Sequence, residues 1–359
     1  MVIIDEYARE RIGQGAAWGK QREAGVETQQ SVGHGVHGSA RDGCCYARSV
    51  SANAAPVNLL RIRADLLDWY DREHRDFPWR VTRDPYAVLV SEVMLQQTQA
   101  SRVADRFPRF LRRFPSAQAL AEARAADVLA EWSGLGYNRR ALSLQRASAM
   151  VARDGWPATV SGLEQLPGVG PYTARAVASL AFEIPVGVVD TNVRRWFLRR
   201  FAIADSPPEL QRLADALAAT GDAGQTDTWT HATMEFGASV CRSREPRCGT
   251  CPIAAGCPSR GRAARVAVPR QATLRGSDRA YRGAVLRDLT LRPGHAVPAD
   301  VLRHALRADA DRIGPALDDA GWERVLAALE GDGLVHQSGG VVAAGPPLQS
   351  AHEHEAEGR

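Results

Sequence analysis

Four of the six cysteines fall between residues 241 and 257: Cys241, Cys248, Cys251 and Cys257, spaced C-x6-C-x2-C-x5-C. Four thiolates gathered in one short loop repel one another unless a cation holds them, so the candidates are an iron–sulfur cluster and a zinc ion. A zinc ribbon usually carries two C-x2-C knuckles far apart in sequence. Here there is one C-x2-C with single cysteines at wider spacing on either side, which favours the cluster over zinc. A cubane [4Fe-4S] group has corners further apart than the ligands of tetrahedral zinc.

The 359 residues are enough for two or three domains and a sizeable core. No apolar run reaches membrane-spanning length, and residues 1–20 lack the apolar stretch of a secretory signal. The remaining cysteines, Cys44 and Cys45, are adjacent and sit in unpatterned sequence. A disulfide framework is therefore not expected, and the expected location is the cytoplasm, on the nucleoid. A net charge of +4 is a weak pointer to nucleic acid. Lys20 is the only lysine; every other basic residue is arginine. Biased genome composition accounts for this, and it leaves a folded core without a lysine amine for chemistry.

Residues 1–57 are rich in Gly, Ser, Ala, Gln and His without a sustained period, and are expected to be disordered. From Leu59 the apolar residues recur at helical spacing: Leu59, Ile62, Leu66, Leu67 and Tyr70 share one stripe. Further helical runs are expected at 88–98, 102–111, 117–132, 139–151, 172–182, 192–201, 208–219 and 226–240. No clean period-2 alternation appears before residue 260, so 58–260 reads as an all-α region. Residues 261–278 read as a linker. Within 279–346, helical stretches at 282–289, 299–306 and 322–330 precede two short strands around Gly339-Gly340, which suggests a small winged-helix-like α+β domain; an unrelated small cap is the alternative. Residues 347–359 read as a tail.

Leu166-Pro167-Gly168-Val169-Gly170 ends one helix, turns, and starts another. Gly168 and Gly170 can take positive φ and let another backbone approach closely. Pro171 fits the first position of the second helix, whose exposed N–H groups favour an anion. Such a hairpin grips a DNA phosphate without reading sequence.

With the cysteine loop downstream, the chain resembles the helix-hairpin-helix DNA glycosylases that carry an iron–sulfur loop. Trp79-Arg80, SEVMLQQTQ (91–99), GLGYNRRAL (134–142), LPGVGPYTA (166–174), VVDTNV (188–193) and MEFGASVC (234–241) are similar to the A/G-specific adenine glycosylases, over residues 58–260. The resemblance implies a six-helix barrel domain joined to a helical iron–sulfur domain with a [4Fe-4S] cluster on Cys241, Cys248, Cys251 and Cys257. It also implies a monomeric enzyme acting on double-stranded DNA that contains a mispaired base.

Purine removal requires the nucleotide to be turned out of the stack. The leaving base must be protonated while the sugar becomes a cation, which calls for one carboxylic acid and one carboxylate. The resemblance makes Glu92 the acid that protonates adenine N7; its apolar surroundings (VLVSEVML) favour the neutral form. It makes Asp190 the carboxylate facing the sugar, supported by Asn192, although an aspartate there also suits a helix N-cap. Tyr172 stands where the lyase branch carries its Schiff-base lysine, so a monofunctional glycosylase is expected, with Tyr172 positioning Glu92. Trp79, Arg80, Leu95 and Glu235 match the base pocket. Gln96, Gln97 and Thr98, on a helix that reads as buried, and Tyr137 match groups that wedge into the stack, and Gly168 and Gly170 match the phosphate-binding hairpin.

Two departures stand out. Many family members carry a β-rich C-terminal domain that recognises 8-oxoguanine, and here the C-terminal segment reads as a winged helix. Asn138 replaces a second aromatic residue, and Thr230-His231 stands where Asn-Gln is frequent. Two rival readings remain. One is a thymine or uracil mismatch glycosylase of the same superfamily, against which Glu92 argues, since a pyrimidine has no N7; hypoxanthine, a purine, stays open as another target base because the pocket residues depart from the family. The other is a non-enzymatic iron–sulfur DNA-binding redox sensor, which has no need of Glu92 together with Asp190.

Overall fold

The computed structural model describes residues 59–221, 224–261 and 273–347. The N-terminal extension (1–57), with Lys20, Cys44 and Cys45, lies outside the described residues, as do most of the expected linker and nearly all of the tail. Contacts divide the chain into one unit formed by residues up to 88 with 171–267, and another formed by 89–170 with 268 onward. This division is discontinuous in sequence. The C-terminal segment shares a unit with residues 89–170.

The first unit holds α1 (Leu59–Glu73), a 3-10 turn (Pro78–Val81) and the start of α2 (Pro85–Leu95). It continues with α8 (Pro171–Phe182), α9 (Thr191–Phe201), α10 (Pro207–Ala218) and α11 (Thr226–Ser239). Helix α11 is central and packs on α1, α8 and α9. Its Phe236 meets Trp69 and Trp196 edge-on, at ring centroids of 5.7 and 5.6 Å. Edge-to-face pairs of this kind add to the stabilisation that burial of the rings provides.

The second unit holds the rest of α2, then α3 (Ala100–Arg113), α4 (Ala117–Ala121), α5 (Ala125–Trp132), α6 (Arg139–Asp154) and the one-turn α7 (Val160–Leu163). The single helix expected over 117–132 is broken at Glu122–Arg124, because Arg124 adopts an extended backbone and becomes the N-cap residue of α5. The break lets Leu120 on α4 and Val128, Leu129 and Trp132 on α5 all reach the core.

The C-terminal segment runs α12 (Asp278–Leu291), β1 (Ala296–Pro298), α13 (Ala299–Ala308), α14 (Ala310–Ile313), α15 (Asp319–Gly331), β2 (Val335–Ser338) and β3 (Val341–Ala344). The sheet order is β1-β3-β2, all antiparallel, with Ala296 opposite Ala343 and Val335 opposite Ala344. This is the expected winged-helix-like arrangement with one strand more. Three-residue β1 pairs with a strand more than forty positions away, so nothing local marked it. Helix α12 and strand β3 pack on α5. Among the described residues, no helix is long and apolar enough to cross a membrane.

Candidate active site

In the second unit, α2 carries Glu92, which is 3 % exposed among Leu89, Val90, Val93 and Met94, all buried. Such a run has no polar stripe, so the helix is embedded all round and takes its carboxylate with it. Helix α2 stops at Leu95, which is half-buried. Gln96 and Gln97 therefore lie in the following turn and not on a buried helix as the sequence pattern suggested. Gln97 is exposed with φ of 55°, and Thr98 N–H closes the turn on the Leu95 carbonyl at 3.2 Å. The turn thus leaves Gln97 exposed and Gln96 half-buried.

Tyr137 stands on the loop between α5 and α6. It is 41 % exposed and, like Gln97, adopts positive φ (48°). Left-handed backbone is costly for an aromatic residue and persists where surrounding contacts enforce it.

The hairpin turn follows the one-turn α7, capped by the Thr159 hydroxyl accepting from Gly162 N–H. Gly168 has φ of 79°, and a β-carbon there would sit 2.7 Å from that of Ser143 on α6, so the position needs glycine twice over. Gly170 uses neither freedom: its φ is not positive and a β-carbon would meet nothing within 4 Å. Pro171 begins α8 as expected, and Tyr172 is the half-buried second residue of that helix.

In the first unit, Asp190 caps α9. Its Oδ1 accepts from the Asn192 and Val193 N–H groups at 2.8 and 2.6 Å, and Oδ2 accepts from Asn192 Nδ2 at 2.6 Å. The cap and the carboxylate expected to face the sugar are thus one group. Burial pushes its carboxyl above the usual range, opposed by the three hydrogen bonds and by Arg195. Arg195, which the sequence reading did not single out, donates to Asn192 Oδ1 at 2.9 Å, to the Gly237 carbonyl at 2.5 Å and to the Cys241 carbonyl at 2.9 Å. It ties the Asp190–Asn192 pair to the start of the cysteine loop. Gly237 on α11 allows this approach, since a β-carbon there would lie 2.7 Å from the Asn192 carbonyl oxygen.

Arg80 and Glu235 meet. Arg80 Nη2 donates to Glu235 Oε2 at 2.7 Å, and Arg75 donates to both carboxylate oxygens at 2.7 and 3.0 Å. The Glu235 side chain is 0 % exposed. Burial alone would raise its pKa, but the two guanidinium groups outweigh burial and hold it below the usual range. Trp79 stacks on Phe77 at 4.7 Å. Thr230 and His231, the departures in α11, have separate surroundings. Thr230 Oγ1 lies 2.5 Å from Ser179 Oγ, linking α11 to α8. His231 lines a cavity with Tyr70, Phe77 and Arg80, where burial, with Arg80 adding to it, lowers it to about 3 and keeps it neutral.

The four cysteines carry no disulfide and line one cavity walled by Trp196, Phe236, Val240 and Ile253. Among the described residues no three His, Cys, Asp or Glu side chains are grouped to hold a single metal ion. A shared cavity faced by four thiols fits a group larger than one ion. Burial pushes the Cys251 thiol up to about 11 and raises Cys241 as well. Burial thus favours the neutral thiol at these two positions. Arg199 donates to the Arg242 and Ser243 carbonyls at 2.6 and 3.2 Å, and Arg200 to those of Ala255 and Gly256, so α9 holds both ends of the loop. Arg244 and Arg247 are exposed.

Residues 90–219 match the HhH-GPD superfamily of base excision DNA repair proteins. The chain is 41 % identical to the adenine DNA glycosylase of Mycobacterium tuberculosis (strain CDC 1551 / Oshkosh) over 294 residues, 76 % of this chain and 89 % of the relative. It is 41 % identical to the human adenine DNA glycosylase over 218 residues, which is 56 % of this chain and 39 % of that larger protein. Among solved structures it is similar to a thermostable thymine-DNA glycosylase, with a TM-score of 0.52 and 28 % identity over 56 % of this chain and 97 % of the other.

Proposed function

Because the chain belongs to the HhH-GPD superfamily of base excision repair glycosylases, and within it to the adenine DNA glycosylases, we propose that it excises adenine mispaired with 8-oxoguanine or guanine. The nucleotide is turned out of the duplex and its N-glycosidic bond is hydrolysed. The observation that carries this reading is Glu92, an ionisable side chain buried on an apolar helix. Burial there favours the protonated acid, which is what a leaving purine needs from its donor.

In this reading the Glu92 proton passes to adenine N7 and the electron pair of the C1′–N9 bond leaves with the base. The positive charge left on the sugar faces Asp190, whose carboxylate is oriented by Asn192 and the start of α9. Water adds at C1′, gives up a proton, and leaves an abasic site. Tyr172 offers a phenol where a Schiff base would require an amine, so strand cleavage by β-elimination is not part of the reaction. The family resemblance assigns recognition of the extruded base to Trp79, Arg80, Leu95 and Glu235. Gln96, Gln97, Thr98 and Tyr137 fill the space the base vacates, and the turn at Gly168–Gly170 holds a phosphate.

Cys241, Cys248, Cys251 and Cys257 would hold a [4Fe-4S] cluster. When bound, it supplies four metal–thiolate bonds that fix the loop bearing Arg244 and Arg247, whose exposed guanidinium groups suit the DNA backbone. Duplexes bearing A opposite 8-oxoguanine, G or C, T or U opposite G, or hypoxanthine, followed by alkaline cleavage of abasic sites, test the reading. Alkali-labile sites are expected from adenine opposite 8-oxoguanine and G. Release of only thymine, uracil or hypoxanthine would replace it with the rival glycosylase, and no release from any duplex would leave a binding protein.

A further inference from the structure

Gln97 and Tyr137 lie on separate segments and both adopt left-handed backbone, with φ of 55° and 48°. One side chain joins those segments. Arg140, at the start of α6, donates through Nη1 to the carbonyls of Val93, Met94 and Gln96 at 2.6, 3.1 and 2.7 Å. These include carbonyls that the end of α2 leaves without a helical partner. Through Nη2 it donates to Thr98 Oγ1 at 3.1 Å and to the Leu135 and Gly136 carbonyls at 3.4 and 2.9 Å. Its guanidinium also lies 5.4 Å from the Trp132 ring centre and 5.6 Å from that of Tyr137. Burial lowers its pKa only to about 10, so it stays charged at neutral pH.

We propose that Arg140 is a positioning residue that clamps the end of the Glu92 helix to the Tyr137 loop, holding both strained segments ready to enter the DNA stack. The inference rests on the reading of Gln96, Gln97 and Tyr137 as groups that fill the vacated space. A planar guanidinium with a rigid fork of donors reaches both segments at once; an ammonium with one point of charge does not. The clamp also acts on the Glu92 helix, because Val93 follows that acid directly and its carbonyl is one of the acceptors. Left-handed backbone at two non-glycine positions is sustained only where neighbouring groups over-determine it, and one cation making contacts on both sides is such a group.

The test uses the full chain with Arg140→Gln, Arg140→Lys, Tyr137→Ala and the Tyr137→Ala/Arg140→Gln pair. Duplexes carry 2-aminopurine beside the target adenine, so that fluorescence reports base extrusion separately from bond cleavage. Both Arg140 variants are expected to bind duplex within about threefold of the parent but to lose the fluorescence rise. Excision should slow by about a hundredfold, the cost of a misplacement near 1 Å. The double variant is expected to be no slower than the slower single variant, as for residues acting as one unit. The clamp is overturned if Arg140→Gln extrudes and excises like the parent, if Arg140→Lys restores both, or if the effects of the two sites multiply. It is equally overturned if both variants melt below the assay temperature, since the guanidinium then holds the fold and not the wedge. Were the parent protein to release no base at all, the glycosylase reading would fail, and extrusion, which breaks no bond, would still test the clamp.

Discussion

Replacing Gly237 with alanine separates the catalytic from the structural consequence of one methyl group. The new β-carbon would lie 2.7 Å from the Asn192 carbonyl oxygen and 2.8 Å from both the Asn192 carbonyl carbon and its β-carbon. These are mostly backbone atoms and cannot swing aside. Opening the contact from 2.7 Å to the 3.4 Å at which ordinary contacts begin requires a shift of about 0.7 Å in the first turn of α9. That turn supplies all three hydrogen bonds to the Asp190 carboxylate. Alanine gains about 1 kcal/mol of helix propensity over glycine. Overpacking costs about 1–3 kcal/mol. Net stability should therefore fall by no more than about 2 kcal/mol, while a shift approaching 1 Å at a reacting group slows chemistry by roughly tenfold to a hundredfold. Single-turnover excision from an adenine–8-oxoguanine duplex, set beside thermal melting, reads both. Excision at the parent rate in Gly237→Ala would refute the reasoning.

Three further outcomes are expected. The pH–rate profile should have an acid limb: activity falls as pH drops through the raised Asp190 pKa, because the sugar cation needs the charged carboxylate. An acid limb at or below the ordinary aspartate value of about 3.9 would count against burial of Asp190. Thr230→Val leaves Ser179 Oγ with only the Thr226 carbonyl at 3.4 Å, so it should destabilise the fold by about 1–3 kcal/mol in urea titration, and adding Ser179→Ala should recover part of the loss. Cys248→Ser should reduce visible absorbance and duplex affinity more than the rate of base release from bound DNA, and normal absorbance with normal binding would contradict the cluster assignment.

Local features were legible in the sequence. Pro171 at the head of α8, Asp190 before Thr191 and the Gly339-Gly340 turn each act within a few residues, and the structure shows each in its expected element. Glu92 was legible because no polar stripe crosses VLVSEVML. The Gln96-Gln97 turn was not, because helical spacing runs through it and only positive φ at Gln97 reveals the stop. Arg140, Arg195 and Gly237 were missed for another reason. Their roles are set by partners more than forty residues away, at Val93, at Cys241 and at Asn192. The one sign available was an arginine on the core-facing side of a helix, as Arg195 and Arg199 are beside Trp196. Gly170 shows the converse: a motif position that looks constrained by its neighbours and is not.

The central claim is that one carboxylic acid and one carboxylate divide the work of releasing a purine. Single-turnover base release by Glu92→Gln and Asp190→Asn, measured on duplex shown by titration to be fully bound, tests it most directly. The account predicts that both variants bind the mispaired duplex as the parent does and that neither produces alkali-labile sites. Turnover retained in either one would remove that residue from the chemistry.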